Sequence, residues 1–182
     1  MHKDHRGITL VELLIAMAIS AVIMAAAAFF LMTAQKNYRE AAASANVQSE
    51  TQILMEQIGT WIMEGNRVKT GAVAGGTTQD KLTVYQIPEK VTAADPASKR
   101  IIWLSADGKL YMKKFDGITD PDTDTTDIVP GTDEIEANCI GTYVTGFSVS
   151  KADAKVTVTL EMTNRHTTYN VQNDFKVRNI LR

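Results

Sequence analysis

The chain is 182 residues long, 45% hydrophobic and 22% charged, with 19 basic against 21 acidic residues. That length holds one ordinary domain plus an appendage, and the apolar share excludes a disordered chain. The charge balance argues against a polycationic nucleic-acid binder, and the single cysteine, Cys139, excludes an internal disulfide framework and a Cys-based zinc site.

The apolar residues are unevenly spread. Residues 8–32 form a 25-residue run broken only by Thr9, Glu12 and Ser20, so the rest of the chain is polar. As a helix that run spans roughly 37 Å, enough to cross a hydrocarbon core of about 30 Å. Residues 1–7, Met1-His2-Lys3-Asp4-His5-Arg6-Gly7, make a short polar leader with Lys3 and Arg6 against one acid. The positive-inside rule keeps this end cytoplasmic and sends the bulk of the chain outside.

Three accounts of the segment compete: a cleaved secretory signal, a plain single-pass anchor, and something more specialised. Ala25-Ala26-Ala27 fits the small-x-small cleavage pattern of a secretory signal, but the apolar stretch continues through Phe29, Phe30, Leu31 and Met32 where a cleavage region turns polar. Glu12 also lies inside the run, and a carboxylate at a membrane-helix centre costs about 2.5–3.5 kcal/mol. Were the chain cut after Gly7, Ile8 would carry a free ammonium one helical turn from Glu12. Pairing of these charges, within a chain or between neighbours, would fix axial register in a water-poor helix bundle. The alternative is a Glu near the headgroups that snorkels or is protonated; spacing alone leaves both open.

The segment Gly7-Ile8-Thr9-Leu10-Val11-Glu12-Leu13-Leu14-Ile15-Ala16 resembles the prepilin processing motif of type IV pilins and type II secretion pseudopilins. The Gly before the cut, the apolar first mature residue, the Thr next and the Glu at the fifth mature position all match, as does the short charged leader. The resemblance implies that a prepilin peptidase cuts between Gly7 and Ile8 and N-methylates Ile8. It also implies that Glu12 contacts the N-terminus of a neighbouring subunit during assembly. The first residue is Ile where Phe is commonest. Between Gly7 and Gly59 there is no Gly and no Pro, unlike the interrupted helix of many major pilins, which leans toward a minor subunit. The family's tip-most pseudopilin typically lacks the acid, so Glu12 implies a neighbour above this subunit.

Residues 33–64 continue the helix as an amphipathic segment. Tyr38, Ala41, Ala42 and Ala45 are followed by Val47, Leu54, Ile58, Trp61 and Ile62, the last set along one stripe. No strict heptad is kept, so Leu54, Ile58, Trp61 and Ile62 are expected to bury against a sheet rather than form a coiled-coil seam. Gly65-Asn66 suits a left-handed helix cap, and residues 71–80 read as a loop.

Residues 65–182 read as a β-rich head. Residues 81–87 alternate, with Leu82, Val84 and Gln86 on one face and Thr83, Tyr85 and Ile87 on the other; residues 90–99 are a polar loop. Residues 100–104 and 109–113 flank Asp107-Gly108, a strong hairpin signal. A turn-rich acidic loop covers 117–132, and two hairpin-like runs follow: 146–150 with 156–160, then 168–171 through 175–177. Strands without intervening helices predict one antiparallel sheet, and a long helix covering one face gives an α+β fold. The family resembled has the same helix-plus-sheet, lollipop shape. Outside the motif, Trp61 near the helix end, Val144-Thr145-Gly146-Phe147-Ser148-Val149 and Val177-Arg178-Asn179 resemble minor pilins more weakly.

The head carries no case for catalysis, and no cofactor is called for. His2 and His5 leave with the leader, His166 sits in a hairpin tip without a partner, and Cys139 lacks a nearby base and is expected to be buried and inert. The Asp120-Pro121-Asp122-Thr123-Asp124-Thr125-Thr126-Asp127 segment begins like a calcium loop but has Thr125 where Gly is needed and Gly131 where a bidentate Glu belongs; a solvated acidic turn is expected. After leader removal 17 basic residues face 20 acidic ones, a poor trap for phosphate, and the Lys109, Lys113 and Lys114 patch can equally protect a strand edge.

The expected function is a minor pilin-like structural subunit of a pilus or of a secretion or competence filament. Its expected partners are other pilin subunits, prepilin peptidase and, before assembly, membrane lipid; direct nucleic-acid binding is not expected. The rival is a single-pass anchored binding module, an adhesin or sensor head that never polymerises.

Overall fold

The computed structural model describes residues 9–73, 80–164 and 167–177. A single α-helix, α1, runs from Leu10 to Glu64. It is continuous because fifty-odd residues rich in Ala, Leu and Met pass with no interior Pro and no Gly before Gly59. The chain divides into two compact units, Met1–Ala42 and Ala43–Arg182. In the first, the apolar side chains of α1 from Leu10 to Met32 are solvent-exposed. In the second, α1 buries Val47, Thr51, Leu54, Met55, Ile58, Gly59 and Ile62, spacings of one, three and four that make one helix face. The expected stripe is therefore present, with Trp61 at its half-buried margin and with Thr51, Met55 and Gly59 as members the hydropathy pattern did not mark.

The expected left-handed cap at Gly65-Asn66 is not formed. Gly65 N–H still donates to the Trp61 carbonyl (3.0 Å), and glycine is needed for space: a Cβ there would lie 2.4 Å from Val84 Cγ1. Asn66 then behaves as a strand mimic. Its N–H donates to the Tyr85 carbonyl (3.0 Å), its side-chain oxygen accepts from Ile87 N–H (3.0 Å), and its amide donates to the Ile87 carbonyl.

Among the described residues eight strands follow in two antiparallel sheets, where one sheet was expected. The first has the order β1 (Arg67–Gly71), β2 (Lys81–Gln86), β3 (Ala97–Leu104), β4 (Leu110–Ile118), β5 (Cys139–Gly141). The second has β6 (Val144–Ala152), β7 (Lys155–Asn164) and β8 (Thr167–Lys176). Tyr143, in a left-handed conformation (φ 61°), turns the chain from one sheet to the other. The Asp107-Gly108 hairpin forms as expected, with Gly108 at φ 75°. Three strand boundaries differ from expectation. β1 fills residues 67–71, for which no strand was expected, and meets the expected loop at 71–80 only at Gly71; residues 74–79 of that loop lie outside the described residues. β3 begins at Ala97, inside the expected polar loop. Residues 168–177 do not turn back: β8 pairs with β7 at ten consecutive positions, placing Asn173 and Asp174 opposite Val158 and Thr157.

One core joins the helix face to both sheets. Leu82, Val84, Ile102 and Leu110 of the first sheet and Phe147, Val156, Val158, Leu160 and Met162 of the second enclose Leu54, Met55, Ile58 and Ile62. The opposite face of the first sheet is buried too, through Ile101, Trp103 and Tyr111 under Ile128; Trp103 and Tyr111 stack with ring centroids 5.6 Å apart.

Candidate functional site

Of the predicted processing and assembly residues Gly7, Ile8 and Glu12, the first two lie outside the described residues. Glu12 sits in the first turn of α1 and is held by Thr9, the residue just before the helix. Thr9 N–H and Thr9 Oγ1 both donate to Glu12 Oε2 (3.0 Å each), and Glu12 N–H donates back to Thr9 Oγ1 (3.3 Å). This is a reciprocal capping box, the sequence signal being Thr-x-x-Glu at the head of an apolar run. Glu12 therefore acts as a helix cap as well as a charge, a role its position in the apolar run does not by itself suggest. Glu12 Oε1 takes no donor among the described residues, so one carboxylate oxygen satisfies the helix end and the other is open to an external donor.

Beyond this turn, α1 is long and apolar enough to cross a membrane by length and composition. Thr33, the first polar residue past the run, returns its hydroxyl to the Phe29 carbonyl (3.0 Å), so it adds no unsatisfied donor.

The acidic segment of the head is largely exposed and turns at 121–123, as a solvated acidic turn would, but the Asp124 side chain within it is buried. It lies across the outer face of the first sheet, and one basic residue from each of β1 to β4 meets it. Arg67 pairs with Asp122 (2.5 Å), Lys81 with Asp127 (2.7 Å), Lys99 with Asp124, and Lys113 with Asp133 (2.5 Å). The Lys99–Asp124 pair is buried, its side chains 2% and 6% exposed. The Lys99 ammonium also donates to the Thr126 carbonyl and lies over the Tyr85 and Phe115 rings. Burial pushes the Asp124 carboxyl up, but hydrogen bonds from Lys99 and Thr126 outweigh it and hold the group below its ordinary range. Asp133 is likewise held low by Lys113 and the Val129 N–H. Asp120 accepts from Asp122 N–H (2.9 Å) and from Thr123 Oγ1 (2.8 Å).

The carboxylates that imitate a calcium loop are thus engaged by lysine, arginine and backbone donors. Among the described residues no group of three or more His, Cys, Asp or Glu is placed to hold a metal. Lys109, Lys113 and Lys114 are each paired with an acid, Asp107, Asp133 and Asp116 respectively, so they form no free cationic patch. Cys139 is half-buried rather than buried, with its thiol 3.6 Å from the Gly141 carbonyl. His166 lies outside the described residues.

No curated protein and no solved structure matches the chain. A known family, described as a prokaryotic N-terminal methylation motif, matches residues 2–28, the span that holds Gly7, Ile8, Glu12 and most of the apolar run. The chain thus carries a prepilin-type N-terminal methylation motif ahead of a long helix and antiparallel sheets.

Proposed function

We propose that the protein is a minor pilin-like structural subunit of a type IV pilus or a related secretion or competence filament. The observation that carries this is the methylation motif at residues 2–28 with an acid at Glu12. Residues 1–7 are the leader, 8–32 the membrane and polymerisation segment, 33–64 its amphipathic continuation and 65–182 the head. The precursor enters the cytoplasmic membrane with its head outside. Prepilin peptidase cuts between Gly7 and Ile8 and methylates Ile8, and other pilin subunits then take the helix out of lipid into a bundle on the cell surface or in the periplasm.

Glu12 does two things in this scheme. Its Oε2, already taken by Thr9, caps the helix; its Oε1 receives the ammonium of a neighbouring subunit's first residue. The neighbour's charge neutralises a carboxylate that costs about 2.5–3.5 kcal/mol in lipid, which favours the assembled over the inserted state. A helix without interior Gly or Pro up to Gly59 supports a minor over a major subunit. The head serves as structure; on the outer face of its first sheet Arg67, Lys81, Lys99 and Lys113 are each engaged by an aspartate.

Mass spectrometry of the protein from cells containing prepilin peptidase tests this. The expected N-terminus is N-methyl-Ile8. An intact Met1 would overturn it in favour of a single-pass anchored binding module that does not polymerise.

A further inference from the structure

Beyond the apolar run, the basic residues of α1 come before most of its acids. Lys36 and Arg39 are its only basic residues, four and seven positions past Met32, and the acids Glu50, Glu56 and Glu64 all lie farther on. Lys36 and Tyr38 are solvent-exposed, Tyr38 at 76% and the Lys36 side chain at 75%. The acid beside them, Glu40, stands 4.0 Å from Lys36 across a largely exposed pair, which is too weak to consume the lysine. Leu10 to Met32 covers roughly 34 Å at the helical rise, the thickness of a hydrocarbon core; Lys36 and Arg39 then fall about 6 and 10 Å beyond it, inside the headgroup layer. An aromatic ring with a phenol, flanked by two long cationic stems, has the chemistry of an interfacial anchor.

We propose that Lys36, Tyr38 and Arg39 form a docking surface for anionic lipid headgroups of the leaflet on the head's side of the membrane. This rests on the membrane-inserted stage of the function proposed above. The partner follows from length and charge: the apolar run fixes the depth at which the two cations emerge, and phosphate-bearing headgroups lie at that depth. Lys36 and Arg39, three residues apart, share one side of the helix, so both reach the same lipid layer. Once the leader is gone, these are the basic side chains nearest the membrane, and they hold the inserted subunit at a set height until assembly withdraws it.

The test uses the full chain in vesicles of equal parts phosphatidylcholine and phosphatidylglycerol, with no other pilin present. After gentle detergent release, native mass spectrometry reads which lipids stay bound. The wild type is expected to retain phosphatidylglycerol over phosphatidylcholine by roughly tenfold, the scale of two basic residues at an anionic surface less the offset of Glu40. Lys36→Gln with Arg39→Gln should bring the ratio to about one, Lys36→Arg with Arg39→Lys should preserve it, and Glu40→Gln should raise it. A wild type without preference, or a preference that the double glutamine variant keeps, would overturn the proposal. So would loss of the bound lipid to inorganic phosphate at matched ionic strength, or unchanged lipid retention alongside loss of the double variant from filaments, which would assign the cations to a protein neighbour. An unprocessed Met1 terminus would end the filament reading and leave this result standing. Release of the chain from vesicles by alkaline wash would end the lipid anchor itself.

Discussion

Lys99 and Asp124 are buried against each other on the outer face of β3, and neither charge has water to fall back on. Removing one partner strands the other, which costs about 3–5 kcal/mol at buried pairs, whereas replacing both with apolar residues is close to neutral. Lys99→Met is therefore expected to lower stability by that amount, and Lys99→Met with Asp124→Leu to recover most of it, as read by chemical denaturation. Acid should act on the same contacts. Asp124 and Asp133 titrate below the ordinary carboxylate value, near 3.9, in the folded state. Their contribution is full above that value and is lost as pH falls through it toward their lowered folded values. Tm should hardly respond to these groups between pH 7 and 5 and should fall steeply below about pH 4. Asp133→Asn should lower Tm at neutral pH and flatten that acid limb. At the other end of the chain, Glu12→Ala should leave insertion intact or improve it while abolishing incorporation into filaments, measured by immunoblot of sheared fibres. Normal incorporation would count against a pairing role for the acid.

The elements differ in how readily they could be read from residues alone. α1 was legible because nothing in its first fifty residues breaks a helix, and the β3–β4 hairpin because Asp107-Gly108 supplies the left-handed turn. β1 was not: Arg67-Val68-Lys69-Thr70-Gly71 has a single apolar residue, and only pairing to β2 makes it a strand. β8 hid for the opposite reason. Asn173-Asp174 has turn chemistry, yet both residues sit in the ladder opposite β7, and ten pairings outweigh a local preference. Lys99 looked like a loop residue because its partner lies 25 positions later, a distance no local pattern reports. Gly59 shows a contact of the same hidden kind, for a Cβ there would lie 2.2 Å from Phe175 Cε1. Gly59→Leu is expected to cost about 1–3 kcal/mol by overpacking. Combining it with Phe175→Ala should reveal favourable coupling of about 1 kcal/mol in a double-mutant cycle; strict additivity would show that the ring does not seat on that glycine.

For the whole molecule, the α+β class and the processing motif could be read directly, because both are written in contiguous residues. The division into two sheets could not, since it depends on Tyr143 adopting a backbone angle that its type disfavours. Tyr143→Gly or Tyr143→Asn should therefore be neutral or stabilising by up to about 1 kcal/mol, apart from any contact the ring makes outside the subunit. A Tm drop of the isolated full-length protein on either change would show that the ring carries intramolecular packing.

The acidic segment over the first sheet carries a practical corollary for anyone labelling this protein. The longest irregular stretch of a head is the usual choice for an epitope or a fluorophore handle, and here residues 120–127 would be that choice. They fasten three neighbouring strands through Arg67, Lys81 and Lys99, so a graft there unbuttons the sheet. The short bend at Asp153 between β6 and β7 is exposed and joins two strands already in register. A tag placed at that bend should report where the protein sits in the cell without altering the protein it reports on.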